Sequence, residues 1–268
     1  MALKLLLGLA AAYLLICALA FLAQGRLLFP VAAARGHGPL PPGAERLRIA
    51  AKDGTPLVGL HLAPAEPEPG LPVVLGFGGN AWNADAMAEY LRDLYPGAEI
   101  VAFHYRGYAP SGGAPGAAAL LDDSLEVHDW VASRFAGRRI VAVGFSIGSG
   151  IAAHLAARRP ISGAILVTPF DSLASVAAGQ APWLPVRLLW RHPIDAAQDL
   201  RQSRVPVAIL AGGSDTLIPA RRTDALRRAA PNLVYDRTIA GVGHNDIYGA
   251  SAFQQSMREA LRKVSARR

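Results

Sequence analysis

The sequence contains very little cysteine and is poor in charged and aromatic residues. Cys17 is the only cysteine among 268 residues, which excludes an intrachain disulfide and a metal site built on cysteines. Charged residues make up 18% of the chain and aromatic residues 7%. The net charge of +7 comes mainly from arginine, part of it in pairs scattered along the chain, with no aromatic-rich basic stretch and no zinc-finger spacing. We therefore expect no nucleic-acid partner and no metal; attraction to an anionic membrane surface or a simple arginine bias accounts for the charge.

Apolar residues, by contrast, are abundant. They make up 52% of the chain, and the mean hydropathy is +0.26. The excess is concentrated near the N-terminus, where residues 5–23 form a run of 19 positions without a charge. About 20 apolar residues in a helix are needed to cross the hydrocarbon core of a bilayer, so this segment is just long enough to span one.

This N-terminal segment has two possible interpretations, a cleaved signal peptide and an uncleaved membrane anchor. Ala18-Leu19-Ala20 has the small-x-small form of a signal-peptidase site, which would make the segment a cleaved signal and the protein secreted or periplasmic. We favour an uncleaved single-pass anchor, because the apolar run continues to Leu27-Leu28-Phe29-Pro30, a typical interfacial sequence. Lys4 favours an N-terminus inside and the bulk of the chain outside the cytoplasm, whereas Arg26 and Arg35 on the other flank oppose this orientation.

Composition divides the chain into three parts. We expect residues 1–29 to form the anchor or signal, residues 30–44 a linker rich in proline and glycine, and residues 45–268 one large folded domain. Within this domain, strand and helix patterns alternate. The alternation predicts an α/β fold with a mostly parallel central sheet of about eight strands and helices on both faces.

Two regions depart from the alternation. Residues 46–51 and 57–62 look like an antiparallel hairpin around the Asp53-Gly54 turn. Between Asp171 and Ser203, after the sixth strand, apolar residues stand beside several prolines. This small insertion is either an apolar lid over the sheet edge or an ordinary connection packed on the core.

A candidate nucleophile lies where a strand pattern turns into a helix pattern. The run is Val141-Ala142-Val143-Gly144-Phe145-Ser146-Ile147-Gly148, whose Gly-x-Ser-x-Gly is the nucleophile-elbow pattern. A sharp turn of this kind strains the serine backbone and needs neighbours without bulk. It exposes the Ser146 hydroxyl and turns the amide of Ile147, at a helix N-terminus, toward an oxyanion. Taken alone, the pattern also fits a strand-to-helix turn with a capping serine.

A serine nucleophile needs a base, and the base needs an orienting acid. Asp215 follows the apolar strand pattern at 205–211 on a glycine-containing loop, where the alternative is a helix cap. His244 lies between glycine and asparagine after the last strand pattern, where the alternative is a surface histidine. The order Ser146, Asp215, His244 is the Ser-Asp-His order of α/β-hydrolases, and it predicts a catalytic triad at the carboxyl ends of strands.

The loop after the third strand is rich in glycine and can supply a second oxyanion amide. It reads Gly76-Phe77-Gly78-Gly79-Asn80-Ala81-Trp82-Asn83, and Asn80 is placed to lend its N–H. We assign Gly79 and Trp82 to the substrate pocket. Phosphate binding is the rival interpretation, but the loop lacks the Lys-Ser/Thr of a P-loop and the GxGxxG spacing, so we expect no cofactor.

With these motifs in view, the chain resembles the membrane-anchored serine hydrolases of the α/β-hydrolase superfamily, the group that includes animal protein depalmitoylases and many bacterial relatives. The resemblance covers nearly the whole chain. It rests on the segments Gln24-Gly25-Arg26-Leu27-Leu28-Phe29-Pro30, Gly79-Asn80-Ala81-Trp82-Asn83, Tyr105-Arg106-Gly107-Tyr108, Gly144-Phe145-Ser146-Ile147-Gly148, Thr168-Pro169-Phe170-Asp171-Ser172, Pro185-Val186-Arg187-Leu188-Leu189 and Gly243-His244-Asn245-Asp246.

The resemblance implies the α/β-hydrolase fold, with Ser146, Asp215 and His244 as the triad and Asn80 and Ile147 as the oxyanion amides. Three positions depart from the family pattern. Gly78 stands where histidine is usual, Trp82 replaces a glycine, and Ala109 follows Arg-Gly-Tyr where glycine is usual. A tryptophan at the pocket mouth could narrow or reshape the acyl site.

The sequence therefore predicts a membrane-anchored serine hydrolase that cleaves carboxylic esters or thioesters through an acyl-enzyme. Its expected partners are an acyl ester or thioester substrate and, through the N-terminal helix, a membrane. A peptidase or amidase with the same triad is one alternative. A non-catalytic membrane protein built on a hydrolase fold is the other.

Overall fold

The fold was analysed in a computed structural model, which describes residues 1–34, 36 and 38–266. Arg35, whose charge opposes the favoured orientation, and His37 of the expected linker lie outside the described residues.

A single mixed sheet forms the centre of the molecule. Its strands are β1 (Ala44–Ala50), β2 (Pro56–Leu62), β3 (Val73–Phe77), β4 (Glu99–Phe103), β5 (Ile140–Phe145), β6 (Gly163–Val167), β7 (Val207–Gly212) and β8 (Leu233–Ile239). Within the described residues these eight strands run in the order β1-β2-β4-β3-β5-β6-β7-β8. β1 pairs antiparallel with β2, and β2 antiparallel with β4, whereas every later pair is parallel. The predicted hairpin and the mostly parallel sheet are confirmed.

Helices connect the strands and cover the sheet. They are α1 (Ala2–Leu28), α2 (Ala84–Leu94), α3 (Ala117–Arg134), α4 (Ile147–Arg158), α5 (Leu173–Gln180), α6 (Val186–Leu189), α7 (Ala196–Arg201), α8 (Ala220–Ala229) and α9 (Ser251–Ser265), with a short 3-10 helix at Ile247–Gly249. The predicted insertion after the sixth strand is confirmed and contains α5, α6 and α7.

The core consists of two apolar layers, one on each face of the sheet. All residues of β3, β5 and β6 are buried, as expected for short apolar strands covered on both sides. One face packs against α3, α4, α7 and α8, through residues such as Val131 and Ile151. The other packs against α2 and α9, through residues such as Met87 and Phe253. This arrangement holds the carboxyl ends of the central strands at one edge, where the candidate site lies.

The N-terminal helix α1 stands partly outside this core. By length and composition it is able to cross a membrane, and most of its large apolar side chains are exposed. It contacts the insertion at two levels. Tyr13 Oη donates a hydrogen bond to the carbonyl of Trp183 (2.9 Å), and Gln24 Nε2 donates one to the carbonyl of Leu189 (3.0 Å). The insertion therefore extends along the side of α1.

Candidate active site

The elbow around Ser146 has the geometry that its glycines suggest. Ser146 joins β5 to α4 with φ 51° and ψ −117°, a left-handed backbone that is strained for a residue with a side chain. A Cβ added at Gly148 would lie 2.1 Å from the carbonyl oxygen of Phe77, and one added at Gly144 would lie 2.2 Å from the carbonyl oxygen of Gly148. Backbone packs directly on backbone at both positions, so any side chain there would force the turn open.

Ser146, His244 and Asp215 form a continuous chain of hydrogen bonds. His244 Nε2 lies 2.9 Å from Ser146 Oγ, and His244 Nδ1 lies 2.7 Å from Asp215 Oδ2. Asp215 Oδ1 accepts a further bond from the amide of Ile218 (2.8 Å). The side chains of His244 and Asp215 are 8% and 3% exposed. This arrangement can hold Nδ1 protonated toward the carboxylate and leave Nε2 free to accept the serine proton.

The two interpretations considered for Asp215 both describe part of its geometry, because its two oxygens have different partners. One oxygen faces the histidine, and the other accepts an N–H of the turn before α8. Asp215 follows β7, and His244 follows β8 on the loop before the 3-10 helix. Three segments distant in sequence therefore meet at the carboxyl ends of parallel strands, as the order of the motifs predicts.

The glycine loop after β3 lies against the elbow. A Cβ added at Gly79 would lie 3.8 Å from Ser146 Cβ, so the loop backbone passes close to the nucleophile. Asn80 and Ile147 line the same cavity as Ser146. The structure thus places the two candidate oxyanion residues in the same cavity as Ser146.

Two tyrosines that follow β4 donate hydrogen bonds to the backbone of the glycine loop after β3. Tyr105 Oη donates to the carbonyl of Gly78 (2.7 Å), and Tyr108 Oη donates to the carbonyl of Asn80 (2.7 Å). Burial raises the pKa of both phenols, so both remain protonated donors. The sequence shows these tyrosines only as part of the Tyr105-Arg106-Gly107-Tyr108 motif. Their function follows from the pairing of β4 beside β3.

The end of the N-terminal helix also belongs to the site, which sequence reasoning did not foresee. Asn80 Nδ2 donates a hydrogen bond to the carbonyl of Leu28 (3.0 Å), and Leu28 lines the cavity. The next residue, Phe29, is buried and packs edge-on against the ring of His192 at 5.5 Å between centroids. The chain leaving α1 is therefore fixed to the loop that supplies one candidate oxyanion amide.

The cavity in front of Ser146 has a volume of about 490 Å³, which lies within the usual range for small-molecule sites. Its lining is mainly apolar and comprises Leu28, Gly79, Asn80, Ala81, Trp82, Ser146, Ile147, Phe170, Leu173, Val176, Leu217, Ile218, His244, Asn245 and Tyr248.

Trp82 and Tyr248 form the aromatic side of this cavity. Their ring centroids are 5.0 Å apart, and the Trp82 ring also lies 5.1 Å from that of Phe145. Burial raises the pKa of Tyr248 to about 12. Both residues predicted for the pocket, Gly79 and Trp82, line it. Trp82 packs within an aromatic cluster rather than standing free at the mouth.

The insertion also lines the cavity. Leu173 and Val176 of α5 line the cavity, whereas other residues of the insertion pack against α1. The insertion therefore forms part of the cavity wall and also contacts the N-terminal helix.

Comparison with known proteins agrees with the observed fold. A family profile described as "alpha/beta hydrolase fold" matches residues 72–194. The chain is 34% identical over 233 residues to an uncharacterized protein of Mycobacterium tuberculosis, covering 83% of this chain and 81% of that protein. It is 25% identical over 225 residues to the lysophosphatidylserine lipase ABHD12 of Xenopus tropicalis, covering 71% of this chain but only 57% of that lipase.

Among solved structures, that of a bacterial membrane phospholipase A, described as a virulence factor, has a TM-score of 0.63 at 17% identity. The alignment covers 99% of this chain and 98% of the phospholipase chain.

Proposed function

The chain belongs to the alpha/beta hydrolase fold family, and from that premise we propose that it is a serine hydrolase cleaving carboxylic esters or thioesters. The observation that carries the proposal is the hydrogen-bond chain from Ser146 Oγ through His244 to Asp215, at 2.9 and 2.7 Å. Both distances are within hydrogen-bond reach for a nucleophile, its base and the acid that orients the base.

In the proposed mechanism His244 Nε2 takes the proton of Ser146 as its oxygen attacks the acyl carbon. Asp215 keeps the imidazole in the required tautomer and stabilises its positive charge. The backbone amides of Asn80 and Ile147 bind the oxyanion of the tetrahedral intermediate. His244 then protonates the departing alcohol or thiol, and water attacks the acyl-enzyme by the same steps in reverse to release the acid.

The proposed substrate carries an apolar acyl group. The cavity of about 490 Å³ is lined mainly by apolar side chains, and Trp82, Val176 and Leu217 are among them. Such a lining favours a hydrocarbon chain, since each buried CH₂ group contributes about 0.8 kcal/mol. The similarity to a lysophosphatidylserine lipase supports a lipid ester, although this chain spans little more than half of that relative.

We also propose that α1 is an uncleaved single-pass membrane anchor, with residues 1–29 as anchor, 30–44 as linker and 45–268 as catalytic domain. The support is the exposed apolar surface of α1 and its continuous helix through Ala18-Leu19-Ala20. Cleavage after Ala20 would remove the Tyr13 bond to the insertion. Lys4 near the N-terminus supports a domain outside the cytoplasm.

The proposal is tested by labelling and by a substrate series on the full chain. A fluorophosphonate probe should label the wild type and the matched control Ser251→Ala, an exposed serine at the start of α9, but not Ser146→Ala. Hydrolysis of p-nitrophenyl esters and acyl thioesters of increasing chain length should rise with chain length until the cavity is filled.

Labelling that persists in Ser146→Ala, or is absent from the wild type, contradicts the proposed nucleophile. Aminoacyl anilides cleaved faster than the corresponding esters would favour a peptidase or amidase instead.

A further inference from the structure

A second cavity, the arginine cleft, lies outside the catalytic cavity between α5, α6 and the start of α8. Its volume is about 250 Å³, room for about eight water molecules. One wall consists of small residues of α5, including Ala174, Ser175 and Gly179, and the other carries the side chains of Arg187, Arg221 and Arg222. A cavity of this size accommodates a phosphate-sized anion with part of its hydration shell.

The charge of the arginine cleft is poorly compensated. Arg222 Nη1 forms an ion pair with Asp171 Oδ2 at 2.9 Å. Arg187 and Arg221 are exposed, and within the described part of the chain no carboxylate forms an ion pair with either of them. Three cations thus face one carboxylate.

Two other arginines pair with buried carboxylates, as Arg222 does with Asp171. Arg46 pairs with Asp85 at 2.7 Å and Arg158 with Asp199 at 2.6 Å. In the arginine cleft, Arg187 and Arg221 have no such partner among the described residues, and an anion bound between them would offset the repulsion of their like charges. An anion from outside the chain can supply this partner.

The donors of the arginine cleft suit a tetrahedral oxyanion. Ser175 Oγ accepts a hydrogen bond from Ser172 Oγ (2.9 Å), so its own proton is available to donate. A Cβ at Gly179 would lie 3.0 Å from Arg221 Nη2, so the guanidinium lies close against the backbone of α5. Guanidinium groups bind phosphate oxygens through paired N–H donors, and three of them exceed what a carboxylate needs.

Helix α5 connects this cleft to the N-terminal helix and to the catalytic cavity. Leu173 and Val176 face the catalytic cavity, and Ala174 and Gly179 face the arginine cleft. On its third side, Ala177 lines an apolar groove together with residues of α1.

The segment that carries Arg187 is itself attached to α1. Leu189, two residues further on, accepts a hydrogen bond from Gln24 Nε2 (3.0 Å), and Gln24 Oε1 accepts one from the amide of Arg191 (3.0 Å). Gln24 lies next to the charged end of α1, just beyond the uncharged run. If α1 spans a bilayer, the contact between Gln24 and Leu189 lies where the helix leaves the hydrocarbon and meets the headgroups; Arg187, two residues before Leu189, lies close to that level, and Trp183, bonded to Tyr13, lies deeper.

We propose that the arginine cleft binds the headgroup phosphate of an anionic phospholipid from the bilayer that holds α1. The proposal rests on the membrane position of α1 given under the proposed function, but not on the catalytic activity. The phosphate bridges Arg187 and Arg221 across the small residues of α5. The bound lipid is separate from the substrate, because α5 stands between the two cavities.

The test uses the full chain in neutral detergent micelles and measures lipid binding by native mass spectrometry. Phosphatidylglycerol should bind more tightly than phosphatidylcholine with the same acyl chains, and added salt should weaken this preference. The double variant Arg187→Gln/Arg221→Gln should weaken phosphatidylglycerol binding about 25-fold, since each arginine near an anionic lipid contributes about fivefold.

The matched control Arg201→Gln/Arg228→Gln removes two exposed arginines from α7 and α8 and should retain the preference. Equal binding of the two lipids, or an unchanged preference in the cleft variant, overturns the proposal. So does displacement of the lipid by an equal concentration of inorganic phosphate, which would assign the cleft to the free anion. Ser146→Ala should bind phosphatidylglycerol like the wild type. The lipid-binding test therefore remains decisive even if the protein does not hydrolyse esters.

Discussion

The substitution Asp215→Asn tests the orientation of the candidate base with almost no change of shape. The amide of Ile218 donates to one oxygen of Asp215, and an N–H can only be accepted by the carbonyl oxygen of an asparagine. The asparagine NH₂ must then face His244 Nδ1. Nδ1 would accept that bond, and the ring proton would move to Nε2, where it blocks proton transfer from Ser146.

The size of the expected loss in kcat follows from the two possible orientations of the asparagine side-chain amide. The productive orientation points its NH₂ at the Ile218 amide and leaves a buried donor unpaired, which costs about 1–3 kcal/mol or a factor of about 5 to 150. In addition, a neutral amide no longer stabilises the imidazolium that forms during catalysis. Together we expect a decrease in kcat of about ten-thousand-fold, about 5 kcal/mol in activation free energy.

The assay is steady-state hydrolysis of an activated ester, with kcat and KM determined separately. KM should change little, because the substitution lies behind the histidine. The matched control is Asp246→Asn on the following loop, where an exposed carboxylate accepts the amide of Gly243 (2.7 Å) and an asparagine oxygen can do the same. A kcat for Asp215→Asn within tenfold of the wild type, or an equal loss in Asp246→Asn, would refute the reasoning.

Two further predictions concern groups behind the site. Tyr108→Phe removes the donor to the Asn80 carbonyl, and we expect kcat to fall about tenfold at nearly constant KM and stability to drop by about 1–3 kcal/mol, measured by ester kinetics and urea unfolding. Burial raises the pKa of Asp85, but hydrogen bonds from His104 and Arg46 outweigh it and lower the pKa to about 2. Because the folded pKa lies below the unfolded value, this carboxylate stabilises the fold above about pH 4, and about 2 kcal/mol is lost as the pH falls toward 2. Asp85→Asn should show a smaller loss over that range in urea unfolding, and equal losses in both proteins would contradict the assignment.

The sequence specifies the fold well because its local patterns agree with the sheet. The fully apolar runs at β3, β5 and β6 become strands buried on both faces. The glycines around Ser146 become contacts between backbones, so the elbow is fixed by local sterics that the sequence displays directly. The convergence of Asp215 and His244 on Ser146 follows from strand order, since each follows a parallel strand at the same edge.

The walls of the site are harder to predict from the sequence, because they are formed by contacts between segments that are distant along the chain. Tyr108 contacts the loop after β3 only because β4 pairs with β3 in the sheet. No local sequence pattern indicates that pairing. The bond between Tyr13 and Trp183 joins residues 170 positions apart. The insertion could therefore be recognised as apolar, but its partner could not be identified.

The end of the N-terminal helix α1 is in direct contact with the candidate site. Asn80, whose amide is the candidate oxyanion donor, is held on two sides: its carbonyl accepts from Tyr108, and its side chain donates to the carbonyl of Leu28. The first contact comes from the core and the second from the last residue of α1. An oxyanion donor must be positioned within a few tenths of an ångström. A shift of α1 relative to the domain would therefore displace the Asn80 amide relative to Ser146 and weaken its bond to the oxyanion. The position of α1 and the geometry of the candidate oxyanion loop are therefore mechanically linked through one asparagine.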